Sequence, residues 1–223
     1  MTTAFHRSIG AGYRAAWQLA LPIAALPDAW RVRGYTHCGP ARLRSLRTLI
    51  QRTRNVPGAV VECGVAGGGS AAMMGLTLQR VGPKPLFLFD TFAGLPAPSA
   101  SDPDYELAMR FVGDCRGTEA EVKRLFERLD LPAPRCVPGL FQDTLARTDT
   151  GSIAFLHLDG DWYESTMTCL QELWPRVAVG GCVQIDDYGY WQGCRRAVEE
   201  FFGPNLPTLH VIDHTGVWLE KHA

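Results

Sequence analysis

The chain has 223 residues and a formal net charge of −1, with 46% apolar and 20% charged residues. That length suits one folded domain with or without a small appendage, and the composition excludes intrinsic disorder. The near-zero charge leaves no electrostatic footprint for nucleic acid or an anionic membrane surface, so a small-molecule partner is expected.

The seven cysteines are odd in number, and no two form a Cys-x-x-Cys pair. Cys63, Cys136, Cys169 and Cys182 fall in apolar runs, where a free thiol behaves as a small hydrophobe. The expected setting is reducing and cytoplasmic. Near the N-terminus, Arg7 and Arg14 precede an apolar run from Ala15 to Leu26. It is too short to span a bilayer, and Pro22 interrupts it. Residues 1–34 are read as a helical lid or oligomer contact, followed by the main domain over 35–223.

From there the elements alternate. Gly58 to Gly64 is a short buried-strand pattern running into glycines, and Ser70 to Gln79 forms a helix. Leu86 to Asp90 is an apolar strand with an acid at its C-terminal end. Thr118 can cap a helix to Leu129, in which Val122, Leu125, Phe126 and Leu129 recur at helical spacing. Arg135 to Val137 is a short strand, and Ile153 to Leu158 is a longer one ending in Asp159-Gly160-Asp161. A helix over Glu164 to Trp174 leads to a strand over Gly181 to Ile185, which ends in Asp186-Asp187. Cys194, Ala197, Val198, Phe201 and Phe202 make the apolar stripe of a further helix. Thr208 to Asp213 and Gly216 to Glu220 form a closing hairpin. This alternation predicts an α/β protein with a mostly parallel, doubly wound sheet. The Pro/Ser/Asp-rich stretch from Pro96 to Asp104 is the expected mobile loop.

In an open sheet of this kind, ligands bind beyond the C-terminal ends of the strands. The turn Glu62-Cys63-Gly64-Val65-Ala66-Gly67-Gly68-Gly69-Ser70 lets backbone approach a ligand closely, and its spacing is not that of a dinucleotide site. Asp90 stands where a carboxylate can accept both hydroxyls of an adenosine ribose. Alone, the first is also a tight turn and the second a loop cap. Together, with no Walker lysine to hold phosphates, they fit an adenosyl cofactor.

Asp159, Asp161, Asp186 and Asp187 end two strands predicted to be neighbours, and neither tip carries Lys or Arg. Like charges crowded there need a positive compensator, and a hard divalent cation suits carboxylates. The alternative is a set of solvated loop acids or helix caps, with Asp161 capping the helix near Tyr163. Phe92, Trp162, Tyr188 and Trp191 lie close enough to wall an acceptor pocket or to pack simply as core. His157, inside a strand, reads as a satisfied core residue, whereas His37 is open to either reading.

The segments VPGAVVECGVAGGGSA, LFLFDTFAGLP, PGLFQDTL, LHLDGDWYEST and GGCVQIDDYG, the last followed by GCRRAV, resemble the macrocin O-methyltransferase family, from about Tyr35 to Phe202. The resemblance implies a Rossmann-like class I methyltransferase fold with a C-terminal antiparallel hairpin. It also implies S-adenosylmethionine and Mg²⁺ or a similar cation as cofactors, a small-molecule hydroxyl acceptor such as a sugar in natural-product biosynthesis, and a homo-oligomer. By the same resemblance, Thr36, Glu62, Gly64, Ser70 and Asp90 contact the cofactor, and Gly139, Phe141 and Asp143 lie near its adenine. Asp159, Asp186 and Asp187 match the metal ligands, and Asp161 the catalytic base. The stretch from Tyr35 to Pro40 departs from the family in detail, which leaves the acceptor least defined. Two competing readings are a metal-dependent glycosyltransferase, which also uses D-x-D, and a methyltransferase-like scaffold without activity. The glycine turn with Asp90 weighs against the first, and the acidic rim against the second.

Overall fold

β1 (Ala59–Cys63) is buried along its whole length, as its run of apolar residues requires of a strand covered on both faces. A computed structural model describes residues 27–223, and the expectation for residues 1–26 lies outside them. After β1 come α3 (Gly69–Val81) and β2 (Leu86–Asp90); before it stand α1 (Pro27–Val32) and α2 (Pro40–Arg52). The short α4 (Tyr105–Ala108) and α5 (Glu119–Arg128) lead to β3 (Arg135–Pro138) and α6 (Phe141–Thr144). β4 (Ile153–Leu158), α7 (Tyr163–Leu173), β5 (Val177–Ile185) and α8 (Gln192–Phe202) follow, and β6 (His210–Val211) and β7 (Val217–Glu220) close the chain.

The seven strands lie in the order β3-β2-β1-β4-β5-β7-β6. All pairings from β3 to β5 are parallel, and β7 joins β5 and β6 antiparallel. The predicted doubly wound sheet with its closing hairpin is therefore present. α5 starts on the predicted cap, because Thr118 and Glu121 form a reciprocal capping box.

Strand alternation splits the core in two. Val60, Leu88, Phe155 and Cys182 face α1, α2, α3 and α5. Val61, Phe87, Leu156 and Val183 face α7 and α8. Residues 27–34 belong to the first layer: Ala29 and Val32 pack into it, and Asp28 pairs with Arg80 of α3. Among the described residues, no helix is long and apolar enough to cross a membrane.

The stretch from Pro96 to Asp104 corrects the expectation of a mobile loop. Pro96 O accepts from Trp162 Nε1 at 2.9 Å. Asp102 is only 5% exposed, and its Oδ2 accepts from Tyr163 N at 2.8 Å at the start of α7. Asp104 Oδ2 accepts from Gly193 N at 3.0 Å in the first turn of α8. The acids that read as loop-like in sequence satisfy the free N–H groups of two helices, and so the loop is a strap.

Candidate active site

The strand order reverses between β1 and β4, where parallel sheets open a crevice. Here the two tips touch. Gly64 has φ +90°, and a Cβ on it would lie 1.8 Å from Asp159 O, so only glycine lets the chains pass. A cavity of about 870 Å³ opens above this crossing. It is lined by Thr36, Gly64, Ser70, Asp90 and Phe141 on one side and Asp159, Asp161, Asp186 and Asp187 on the other. That volume suits a cofactor together with an acceptor.

The structure distributes the remaining expected cofactor residues unevenly. Glu62 is fully buried behind the wall, with Ser70 beside it. Leu140, Phe141 and Gln142 line the cavity, but Gly139 and Asp143 are not among its lining residues, and Asp143 is exposed. Asp90 serves the turn itself: Oδ2 accepts from Val65 N at 2.6 Å and Ala66 N at 3.1 Å, and Oδ1 from Phe92 N at 2.7 Å. A carboxylate has roughly four acceptor sites, so three main-chain bonds leave little spare capacity before any ligand arrives. Its chemistry still suits a ribose, and it also clasps the glycine turn.

Two groups of side chains meet at the acidic rim. Ligand atoms of Asp159, Asp161 and Asp187 lie within 4.8 Å of one another, and so do those of Cys38, His157, Asp159 and Asp186. Asp186 differs from Asp187 in its contacts. It pairs with Arg42 of α2, whose Nε also stands 3.3 Å from Asp213. It further faces His157 Nε2 at 3.4 Å and accepts from Cys38 Sγ at 3.5 Å. Burial opposes the Asp186 charge, but Arg42 and His157 outweigh it and hold the carboxyl at about 2. The strand tips lack basic residues, yet part of the compensation comes from a helix far away in sequence.

Among the described residues, none of the other three acids forms an ion pair. Burial and then the Asp186 charge push Asp187 up to about 6. Burial and neighbouring carboxylates raise Asp159 and Asp161 well above the ordinary range. Three carboxylates held this way destabilise one another unless a cation joins them, and their all-oxygen donor set suits Mg²⁺. The expected set of Asp159, Asp186 and Asp187 is therefore corrected: Asp186 groups with Cys38 and His157 and pairs with Arg42, and Asp161 joins Asp159 and Asp187 in the trio whose donors fit a hard cation. The cysteine- and histidine-containing group has donors for a softer ion, but the Arg42 guanidinium already sits on its Asp186.

The reading of Asp161 as a helix cap is corrected. Asp102 satisfies Tyr163 N, while Asp161 Oδ1 accepts from Trp191 Nε1 at 2.9 Å. Of the four aromatics singled out, Trp162 and Trp191 line the cavity, whereas Phe92 packs in the core and Tyr188 bonds Glu199. Phe111 and Tyr190 line it as well and were not anticipated. His37 also reaches the cavity wall.

His157 is buried, as expected, but it is more than a packed side chain. In the sheet register it stands beside Glu62 of β1 and Gln184 of β5, a polar row through an apolar core. Its Nδ1 lies 2.9 Å from Glu62 Oε1. Burial disfavours the imidazolium, but bonds to Asp186, Cys38 and Glu62 overcome this and raise its pKa well above normal. Burial likewise raises Glu62, against the lowering by its bonds to His157 and Ser70. The only sequence signal for this pair was a charged residue at the matching place in two apolar strands.

Comparison with known proteins places this geometry. The sequence model of the macrocin-O-methyltransferase (TylF) family matches residues 24–221. A tetracenomycin 4'-O-methyltransferase that takes an 8-demethyl-8-(2,3-dimethoxy-alpha-L-rhamnosyl) acceptor, from Streptomyces olivaceus, is 36% identical over 207 residues, 87% of this chain and 78% of that one. Demethyldecarbamoylnovobiocin O-methyltransferase from Streptomyces niveus is 34% identical over 203 residues, 86% of this chain and 78% of that one. The solved structure of the O-methyltransferase NovP superposes with a TM-score of 0.78 at 33% identity, covering 85% of this chain and 83% of the other.

Proposed function

This chain belongs to the macrocin O-methyltransferase family, and on that premise we propose that it methylates a hydroxyl of a small natural-product intermediate, on a sugar or a similar group, using S-adenosylmethionine and a divalent cation such as Mg²⁺. The observation that carries this reading is the single cavity in which the glycine turn faces three crowded carboxylates across the Gly64–Asp159 crossing.

When bound, S-adenosylmethionine supplies a methyl group already activated for in-line displacement. A divalent cation, when bound, would stabilise negative charge developing on the acceptor oxygen. The protein's task is to hold the partners in line and to take a proton. Thr36, Gly64, Ser70 and Asp90 would cradle the cofactor, with Glu62 behind them. Asp159 and Asp187 would hold the cation, with Asp186 at the same rim. Asp161 would accept the hydroxyl proton. Trp162, Trp191, Phe111 and Tyr190 would wall the acceptor side. The sugar assignment is supported by the tetracenomycin relative, which is named for a rhamnosyl acceptor. The proposal includes a cytoplasmic homo-oligomer, which light scattering of the purified protein would check.

The test pairs calorimetry with turnover. S-adenosylhomocysteine should bind, and methyl transfer to a panel of hydroxylated glycosides should stop in EDTA and return with Mg²⁺. Absence of S-adenosylhomocysteine binding would remove the whole reading. Full activity in EDTA would remove the metal alone.

A further inference from the structure

Asp161 poses a problem that its neighbours do not. It offers a carboxylate oxygen to the same group as Asp159 and Asp187, the three ligand atoms lying within 4.8 Å of one another. A carboxylate so placed is drawn onto any cation the other two hold. A coordinated base has one oxygen fewer with which to take a proton.

The structure contains a restraint against this. Trp191 Nε1 donates to Asp161 Oδ1 at 2.9 Å. The indole is 5% exposed and cannot swing away, because three rings meet it edge to face. Trp162 lies 5.0 Å away at 75°, Tyr190 4.9 Å at 86° and Phe111 5.7 Å at 84°. Trp162 is itself fixed by its bond to Pro96 O, and Trp191 N donates to Asp187 O at 3.0 Å. On the Asp161 side, the backbone is held at φ +56°, an uncommon conformation for an aspartate, while its N–H donates to Asp187 Oδ2 at 3.2 Å. Both ends of the bond are therefore braced. An indole N–H has one donor and no acceptor, so it engages one carboxylate oxygen of a residue that lines the cavity and leaves the other without an indole bond.

We infer that Trp191 is a positioning residue that reserves Asp161 for proton transfer by holding one of its oxygens away from the metal. This rests on the metal and base assignments proposed above. Without the N–H, Asp161 turns onto the cation as an added ligand, so that metal binding tightens while turnover falls. A role confined to packing cannot move those two quantities in opposite directions.

Mn²⁺ serves as the probe, with its affinity measured by electron paramagnetic resonance on the full chain in saturating S-adenosylhomocysteine, so that no acceptor is needed. Trp191→Phe should bind Mn²⁺ several-fold more tightly than the wild type, and adding Asp161→Asn should abolish the gain. With any glycoside that the wild type methylates, Trp191→Phe should lose on the order of 10²-fold in kcat with KM little changed, the scale set by misplacing a reacting group. Should the phenylalanine variant fold poorly, 3-benzothienylalanine at position 191 keeps the indole shape without its N–H and should give the same gain. Unchanged or weaker Mn²⁺ binding in these variants overturns the inference, as does a gain that survives Asp161→Asn. If the wild type itself binds no Mn²⁺, the metal assignment fails and takes this inference with it.

Discussion

His157 bonds Glu62 across neighbouring parallel strands, Nδ1 to Oε1 at 2.9 Å, with both side chains fully buried. The imidazole thereby ties the acid behind the glycine turn to Asp186 at the acidic rim. Removing it leaves two buried acids without their shared partner. We predict that His157→Leu destabilises the fold by about 3–5 kcal/mol, the usual cost of breaking a buried pair. Urea unfolding checks this, and a loss below about 1 kcal/mol would mean that the pair is dispensable.

On the proposed roles, substitutions at Asp161 and Asp187 should separate proton transfer from metal binding. Asp161→Asn should keep S-adenosylhomocysteine and Mn²⁺ binding but lose roughly 10²–10⁴-fold in turnover, the range for a general base. Asp187→Asn should instead raise the Mg²⁺ concentration needed for half-maximal rate. Undiminished turnover in the first variant would dismiss Asp161 as the base.

Asp102 couples the strap to the start of α7, and Asp104 couples it to the start of α8. Asp102→Ala removes the acceptor for Tyr163 N and for Asp104 N, bonded at 2.8 and 2.9 Å. The expected cost is about 1–2 kcal/mol, as for loss of a helix cap. Faster amide exchange at Tyr163 and along residues 96–104 would report it; unaltered exchange would show that the strap is held by other contacts.

The ion pair between Asp28 and Arg80 docks α1 onto α3 and makes a prediction about pH. The Arg80 hydrogen bond, working against burial, lowers the Asp28 pKa below its ordinary 3.8. A depressed carboxyl contributes stability above its unfolded pKa and loses it as pH falls through the folded value. The melting temperature of Asp28→Asn should thus lie below that of the wild type at pH 7, and the gap should close below about pH 4, the unfolded value for aspartate. A gap that stays constant down to pH 2 would place the effect in packing instead.

Much of this protein was written in local pattern. Short continuous apolar runs place β1, β2, β4 and β5, and glycines or acids at their ends mark one rim, because residues only a few positions apart determine where a strand stops. Thr118 and Glu121 announce a helix start for the same reason. Contacts across the fold carry no such signature. Arg42 reaches Asp186 across 144 positions, and Asp102 reaches Tyr163 across 61. His157 meets Glu62 only once β1 and β4 take their register, and Trp191 meets Asp161 only when α8 packs beside the β4 tip. Periodicity shows which face a side chain takes. Only the packing of whole elements against one another determines what that side chain then touches, so the ingredients of the site were legible in the chain while its wiring was settled in three dimensions.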